Sequence, residues 1–429
     1  MREHEKIPYD SFAQQAYWGE GMRLPGQSKG LDRWFFQWQW RNTMRAEDEI
    51  DSDEPVITES GYYASYVIGA QWFDEENTMP LVVTTKYGCD RIDFLKMFSV
   101  CFNSGIEAKE FSKIYAVDME QPRIKAPELK SVLSPLIVAH FLSIVKEIVK
   151  RGLKKDYVQR EDNLKKVKGR IAIFRNERMN IQKERYDKVF CQYQEYSEDT
   201  VENRLIKKAL LFSQQILQVA GLSPSLLPLQ HTVHECLSAF ANVNDQIEVW
   251  EVKAIKHHKI FKEYDDANKL AQMILHRYDY NITNITTAEE EECPVFWIDM
   301  AMLYEHYVLG LLREAYGSLI HYQERGHTGY PDFVCYSPQV VLDTKYIPRF
   351  YQGSIDTYIV RQLSGYSRDK WIFPTQPDAN IPCVIISPIE GDEENPFKNK
   401  PLEDFLQKED RHLWNFHRIA VPLPMLNEN

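Results

Sequence analysis

The chain has 429 residues, of which 44% are hydrophobic and 27% charged, and its formal net charge is −12. This length exceeds one ordinary hydrophobic core, so we expect two or three domains. The acidic balance excludes a uniformly basic nucleic-acid binder but leaves room for a local basic patch. The seven cysteines are scattered without a CxxC pair, which argues against a zinc ribbon or a disulfide framework.

The cysteine pattern fits a reducing compartment, and we therefore expect a cytoplasmic protein. The first residues, MREHEKIPYD, do not follow a signal-peptide pattern. The longest apolar segment, 131–145, is too short to span a bilayer, so no membrane association is expected.

Residues 1–125 are predicted to form a β-rich N-terminal domain. A tryptophan-rich stretch at 33–45, RWFFQWQWRNTMR, fits either a half-buried hairpin or a partner-binding loop. Strand-like runs follow within 61–102, and the segment DFLKMFSVCF at 93–102 has helical spacing.

Residues 126–287 are predicted to be mostly helical, with helices at 127–152 and from 200 onward. Within 146–188 the chain carries 15 Lys and Arg against 7 Asp and Glu. This basic patch is either a solvated helix face or a surface for a phosphate backbone. We find neither GxGxxG nor GxxxxGK[ST], so no nucleoside triphosphate is expected on a P-loop of this chain.

Residues 288–429 are predicted to form the last domain. Its first helix should begin after Asp299, a suitable N-cap, and end at Gly317. Glu305 lies beside the apolar stripe of this helix, so it is either a solvated edge residue or a ligand.

The stretch PDFVCYSPQVVLDTKY at 331–346 predicts a hairpin of two apolar strands. If Ser337 and Pro338 form its loop, Asp332 faces Asp343, with Cβ atoms about 5 Å apart. Residues two apart share a strand face, so Lys345 lies on the same side as Asp343. Asp–Lys pairs without a catalytic role are also common on exposed strand faces, and this alternative stays open.

Two carboxylates this close repel each other unless a proton or a cation lies between them. A hard divalent cation such as magnesium would relieve the repulsion, acidify a water and polarise a phosphoryl oxygen. The lysine could hold the attacking water or offset charge on the phosphate. These residue types therefore suit metal-assisted phosphodiester hydrolysis.

A helix is predicted at 356–371 and a buried strand at 381–388, which gives the order helix, strand, strand, helix, strand. This order and its motifs resemble the PD-(D/E)xK nuclease superfamily. The resemblance implies an α/β core with a mixed sheet flanked by helices. Pro331-Asp332 matches the first motif and Asp343-Thr344-Lys345 the second, while Glu305 and Gln362 match polar residues on the flanking helices. Asp332, Asp343 and Glu305 are then the expected metal ligands.

The segments 151–171, 195–210, 296–308 and 340–346 together are similar to the McrC family, the nuclease subunits of McrBC-type modification-dependent restriction systems. The resemblance implies a DNA endonuclease acting in defence against phage, with Mg²⁺ or Mn²⁺ as cofactor and double-stranded DNA as substrate. It also implies a hexameric AAA+ GTPase partner of McrB type, which binds the GTP itself. The N-terminal part of this chain would dock on that motor and stimulate it.

Two other functions remain open from the sequence. The chain could be a catalytically silent assembly subunit of the same motor, with the acids and the lysine as a structural pair. It could also be a stand-alone PD-(D/E)xK repair nuclease.

Overall fold

The computed structural model is a mixed α/β protein with several separate sheets. It describes residues 36–43, 57–64, 66–72, 80–87, 91–103, 113–118, 121–126, 129, 132–219, 226–247, 262–277, 292–347, 350, 353–374, 380–391 and 395–425. The chain divides into two compact units, one made of 1–136 with 289–429 and the other of 137–288. The predicted three-part division stays a prediction.

The helices and strands follow the chain in this order. The helices are α1 Phe94–Asn103, α2 Leu133–Arg151, α3 Ile173–Met179, α4 Val201–Val219, α5 Leu227–Ala239, α6 Lys262–Arg277, α7 Met300–Tyr316 and α8 Thr357–Tyr366. The strands are β1 Phe36–Thr43, β2 Ile57–Ala64, β3 Val67–Trp72, β4 Pro80–Val83, β5 Tyr115–Asp118, β6 Ile124–Lys125, β7 Asp156–Leu164, β8 Arg170–Ile171, β9 Val189–Ser197, β10 Glu292–Cys293, β11 Val295–Asp299, β12 Ile320–Tyr322, β13 Phe333–Tyr336, β14 Gln339–Thr344, β15 Cys383–Glu390 and β16 Phe416–Leu423. Among the described residues, no helix is long and apolar enough to cross a membrane.

The tryptophan-rich stretch supplies strand β1, which pairs antiparallel with β2 along its whole length. The stretch is thus a paired strand, and both alternatives for its role, a half-buried element or a partner-binding segment, stay predictions. A second sheet has the order β4-β3-β11-β5, with β11 antiparallel to both of its neighbours. Gly69 in β3 has a φ of +148°, and a Cβ there would lie 2.1 Å from the carbonyl oxygen of Phe296, so only glycine permits this close pairing.

Helix α7 begins and ends where the sequence predicts. The Asp299 side chain caps it by accepting a hydrogen bond from the Met302 N–H at 3.0 Å, and Gly317 follows its last turn with a φ of 57°. Its buried residues pack on both sides of the helix, and Gly310 lies against Val100 of α1 so closely that a Cβ would come within 2.6 Å. The helix is therefore fixed firmly in the core.

The third sheet has the order β12-β13-β14-β15-β16. Strands β12, β13 and β14 pair antiparallel, whereas β14, β15 and β16 run parallel. A parallel pair needs a crossover, and α8 lies in the connection from β14 to β15. Apolar residues of α8 and the sheet share one buried cluster that includes Ile359, Leu363, Cys383 and Ile385. The strands β12 and β16 were not predicted from the sequence.

The second unit corrects the expectation for its basic segment. The sequence suggested either a solvated helix face or a surface for a phosphate backbone, but parts of 156–197 form a three-stranded antiparallel sheet of order β7-β9-β8. Between β8 and β9 lies the short helix α3, in which no residue is buried. The helices α4, α5 and α6 do follow the predicted helical pattern. The region is thus partly β rather than mostly helical in its first half.

Asp199, at the start of α4, anchors this unit. It accepts hydrogen bonds from Arg204 Nε and Nη2 at 2.8 and 2.7 Å, from Arg160 at 2.8 Å and from the Asn244 N–H at 2.9 Å. The Arg204 hydrogen bonds are the largest cause of a pKa for Asp199 well below the usual range of a carboxyl group. One buried carboxylate thus joins β7, α4 and the segment after α5.

We expect Asp199→Asn to lower the free energy of unfolding by about 2 kcal/mol, because two guanidinium groups lose their charged acceptor. The depressed pKa means that this stabilisation is present above the unfolded pKa of about 4 and is lost as the pH falls through the folded value. Urea unfolding followed by circular dichroism at neutral pH and at lower pH measures both effects. The exposed Asp187→Asn is the matched control, and an equal loss in both variants would contradict the assignment.

Candidate active site

The hairpin of β13 and β14 has the predicted register. Phe333 pairs with Leu342, and Tyr336 pairs with Gln339 across a Ser337–Pro338 turn whose peptide bond is cis. Asp332 directly precedes β13, so continuing the register places it opposite Asp343 near the end of β14. The hairpin therefore brings the two predicted acids to one end of the sheet.

Asp332 is held in place by the residue between the second acid and the lysine. Its Oδ2 atom accepts hydrogen bonds from the Thr344 N–H at 2.7 Å and from Thr344 Oγ1 at 2.6 Å. Thr344 is itself buried. Two donors on one oxygen fix the Asp332 carboxylate while its other oxygen accepts neither of these bonds.

Asp343 lies in the core and is only 1% exposed. Its Oδ2 atom forms an ion pair with the Lys345 ammonium. Burial is the main reason why the pKa of Asp343 rises to about 7, and the negative charge of Asp332 raises it further, while Lys345 opposes both. Burial alone would lower the pKa of Lys345, but Asp343, Asp332 and Glu305 together raise it. The ammonium is thus held in its charged form by the surrounding acids.

Glu305 extends from α7 toward the same group. Burial raises its pKa to about 8, with further contributions from the charges of Asp332 and Asp343. Tyr322 Oη and Gln323 Nε2 donate hydrogen bonds to Glu305 Oε1 at 3.0 and 3.1 Å, which favour the charged form but do not outweigh the burial. Without a cation, this carboxyl keeps its proton at neutral pH.

Gln362 reaches the acids through a neighbour on its own helix. Its Nε2 atom donates a hydrogen bond to Tyr366 Oη at 2.9 Å. Burial raises the pKa of Tyr366, and the charges of Asp343 and Asp332 raise it further, against the opposing effects of Gln362 and Lys345. The structure therefore places Glu305, Asp332, Asp343 and Lys345 in one electrostatic group, which we call the acid cluster, and links Gln362 to it through Tyr366.

The acid cluster offers carboxylate oxygens that suit a divalent cation. Among the described residues, no three His, Cys, Asp or Glu side chains stand close enough together to form a metal site. Magnesium, however, usually binds proteins through one or two carboxylates and completes its shell with waters and substrate phosphates. Asp332 and Asp343 provide such a pair, because the strand register places them opposite each other and the charge of Asp332 adds to the effect of burial on the pKa of Asp343. The donor set thus fits Mg²⁺ in this partial mode.

The chain matches the model of one protein family. A family model described as "McrBC 5-methylcytosine restriction system component" matches residues 94–362, more than half of the sequence. The chain belongs to the McrBC family. The family predicted from the sequence motifs is thereby confirmed.

Solved McrBC structures are similar to this McrBC-family chain at low sequence identity. One is a half-complex from a tetradecameric assembly of Thermococcus gammatolerans McrB AAA+ hexamers with bound McrC, with 16% identity, a TM-score of 0.35 and coverage of 99% of this chain and 94% of that chain. Another is the Thermococcus gammatolerans McrBC complex, with 13% identity, a TM-score of 0.31 and coverage of 85% and 97%. No curated protein matches the chain.

Sequence reasoning missed four residues that this McrBC-family chain places at the acid cluster. Thr344 lies inside the Asp-Thr-Lys motif, so its position was a usable signal, and Tyr366 lies four residues after Gln362 on one helix face. Tyr322 and Gln323 gave no signal, because they meet Glu305 only through the pairing of β12 with β13. The hydrogen-bonding shell of the acids therefore depends on the tertiary fold.

We expect Asp343 and Glu305 to make the metal-free chain lose thermal stability as the pH rises from about 4 to about 8. The unfolded pKa values of Asp and Glu are about 4, whereas those of folded Asp343 and Glu305 are about 7 and about 8, so the folded state binds more protons in this interval. The resulting stabilisation is complete below about pH 4 and disappears as the pH rises through the folded values. Melting curves in EDTA buffers measure it.

Asp343→Asn removes one of the two raised groups, so its melting temperature should depend less steeply on pH. The exposed Glu403→Gln is the control and should follow the wild type. An Asp343→Asn profile parallel to that of the wild type would contradict the raised pKa.

Proposed function

We propose that this McrBC-family chain is the DNA endonuclease subunit of its restriction system, built on a PD-(D/E)xK core in which α7 and α8 flank the sheet β12-β13-β14-β15-β16. The observation that carries the proposal is the acid cluster: the predicted hairpin register, the Asp343–Lys345 ion pair and Glu305 all meet at one site. A purely structural Asp–Lys pair would gain nothing from two further carboxyl groups beside it, because they add repulsion.

Asp332 and Asp343 would hold Mg²⁺ or Mn²⁺, with Glu305 as the third acid of the site. When bound, such a cation supplies a more acidic water and a polarised phosphoryl oxygen. Thr344 keeps the Asp332 carboxylate in one orientation through its two hydrogen bonds. Lys345 places a positive charge where negative charge would develop on the phosphate, and the acids around it keep that charge in place.

Gln362 and Tyr366 would orient polar groups at the edge of the same site. Their hydrogen bond fixes the Gln362 amide so that its N–H points to the tyrosine oxygen. Its carbonyl oxygen can then accept a hydrogen bond from a water beside the acids. Both residues lie on one face of α8, which is anchored in the core by Ile359 and Leu363.

We also propose a partner of the McrB type, an AAA+ GTPase that binds the GTP and works as a hexameric motor. Family membership and the missing P-loop support this proposal, since the nucleotide would then belong to another chain. The second unit presents a surface that suits a protein contact, formed by Ile171, Ile173, Phe174, Ile181 and Tyr186, which we call the apolar tip. All five side chains are exposed, and Phe174 is 88% exposed.

The nuclease proposal predicts that Asp343→Asn slows DNA cleavage by about 100-fold or more, because a ligand for the cation is lost. Cleavage should be measured with the partner, GTP and magnesium present, together with stimulation of the partner's GTPase. We expect that stimulation to survive, since the acid cluster does not take part in it. Glu403→Gln serves as a control that should cleave normally. Normal cleavage by Asp343→Asn would refute the assigned site, and absence of cleavage by the wild-type complex would favour a silent assembly subunit.

The partner proposal predicts that Phe174→Asp weakens binding to the motor by about 30-fold, the loss typical of one central apolar residue in an interface. Surface-immobilised binding and GTPase stimulation measure this, while DNA cleavage chemistry is not needed. Val219→Asp is the matched control, because Val219 is an exposed apolar residue of the same unit outside the apolar tip. If both variants bind the motor as the wild type does, the apolar tip is not the contact.

A further inference from the structure

A tight turn just before Asp332 is clamped by one buried carboxylate. The turn spans residues 326–329 and closes with a hydrogen bond from the Gly326 N–H to the Gly329 carbonyl oxygen at 2.8 Å. Asp369 Oδ2 accepts from the Thr328 N–H at 2.7 Å and from Thr328 Oγ1 at 2.8 Å. A Cβ at Gly326 would lie 2.7 Å from the same Asp369 oxygen, so the turn fits tightly against it. The chain after α8 thus holds the chain that leads into the acid cluster.

The turn also packs against Tyr366, the tyrosine whose pKa is raised in part by the charges of the acids. Gly329 has a φ of +138°, and a Cβ there would come within 3.1 Å of the Tyr366 ring and hydroxyl. Tyr366 is the residue whose pKa responds to Asp332 and Asp343. The turn is therefore a neighbour of the acid cluster, separated from it by one aromatic side chain.

The same carboxylate positions an exposed tryptophan. Asp369 Oδ1 accepts a hydrogen bond from the Trp371 N–H at 2.9 Å, and the Trp371 indole is 61% exposed. The His327 ring lies 5.6 Å from the indole, edge to face, and the Arg325 guanidinium carbon lies 5.9 Å from the ring centre. Asp369 thus binds both the turn that carries His327 and the backbone of Trp371, which face each other in an Arg–His–Trp group. The indole is a shelf that limits the conformations of the Arg325 and His327 side chains.

The surroundings of this group carry positive charge. Arg325, Arg361, Arg368 and Lys370 are exposed, and none of them forms an ion pair with a described residue. These four exposed side chains carry positive charge on a chain whose net charge is −12. Their natural complement is a polyanion that follows the surface, which a nucleic-acid backbone provides.

We propose that Arg325 and His327, oriented by the Trp371 shelf, contact the phosphate backbone of double-stranded DNA next to the acid cluster. The inference rests on the proposed nuclease function, because it assigns the surface that would present DNA to that site. Arg325 makes the main contact, since its guanidinium lies 5.9 Å from the indole centre and carries five N–H donors that suit phosphate oxygens. Asp369 acts as a positioning residue, since it touches the turn and Trp371 but not the DNA.

The test is the salt dependence of DNA binding by the full chain, measured in EDTA with a duplex of about 30 base pairs so that no cleavage occurs. Loss of one phosphate contact should reduce the slope of log K against log salt by about 0.9 and weaken binding alike on unrelated sequences. We expect this for Arg325→Ala. Arg325→Lys should recover the slope but not the full affinity, because lysine keeps the charge but lacks the planar fork of N–H donors. Trp371→Ala should weaken binding with a smaller change in slope.

The chain offers a matched control at another place. Arg411, His412 and Trp414 form a second exposed Arg–His–Trp set, which precedes β16 at the opposite edge of the sheet from the turn. Arg411→Ala and Trp414→Ala should leave affinity and slope unchanged. Equal effects of Arg325→Ala and Arg411→Ala would show only a general charge effect and overturn the proposal. So would an Arg325→Ala variant that binds DNA normally and instead loses affinity for the motor.

A parallel cleavage assay with motor, GTP and magnesium separates this inference from the proposed function. If the wild type cleaves and Arg325→Ala has an unchanged slope, the DNA contact is refuted and the nuclease proposal stands. If the wild type does not cleave but Arg325→Ala lowers the slope, the nuclease proposal fails and the contact to DNA is supported. Full melting curves of each variant confirm that a lost slope does not come from unfolding.

Discussion

The arrangement of this protein around its acids follows from one electrostatic constraint. Three carboxyl groups, from Glu305, Asp332 and Asp343, share a largely buried site with the single ammonium group of Lys345. Their mutual repulsion and the cost of burying charge must be met by protons, hydrogen bonds or a cation. The chain offsets part of this cost with hydrogen bonds. Thr344 donates two to Asp332, and Tyr322 and Gln323 each donate one to Glu305. The part of this repulsion that the hydrogen bonds do not offset would be relieved by a bound cation.

The rigidity of the surrounding elements makes this constraint useful. The hairpin of β13 and β14 is apolar on both faces and carries the acids at its end, while α7 is buried along its length and carries Glu305. Groups that repel would separate if they were attached to mobile loops. Strands and helices with packed cores hold these groups together in spite of their repulsion.

Local patterns in the sequence were sufficient for the hairpin and the helix. The apolar runs on either side of Ser337-Pro338 determined the register of Asp332 and Asp343, and Asp299 with Gly317 determined the bounds of α7. The helical reading of the basic segment was wrong because charged residues hide the alternation of an exposed strand, so β7 and β9 resembled a solvated helix. The contact between Asp369 and Thr328 joins residues 41 positions apart, and no local spacing encodes it. The acids could thus be found from the sequence, but not the shell that orients them.

Strand β11 connects the second sheet of the first unit directly to α7. It lies between β3 and β5, and its last residue, Asp299, is also the cap of α7, so that sheet and helix join without any intervening segment. Glu305 follows less than two turns later. The position of Glu305 relative to the hairpin acids therefore depends on how β11 pairs within its sheet, although that sheet includes residues far from the hairpin in sequence.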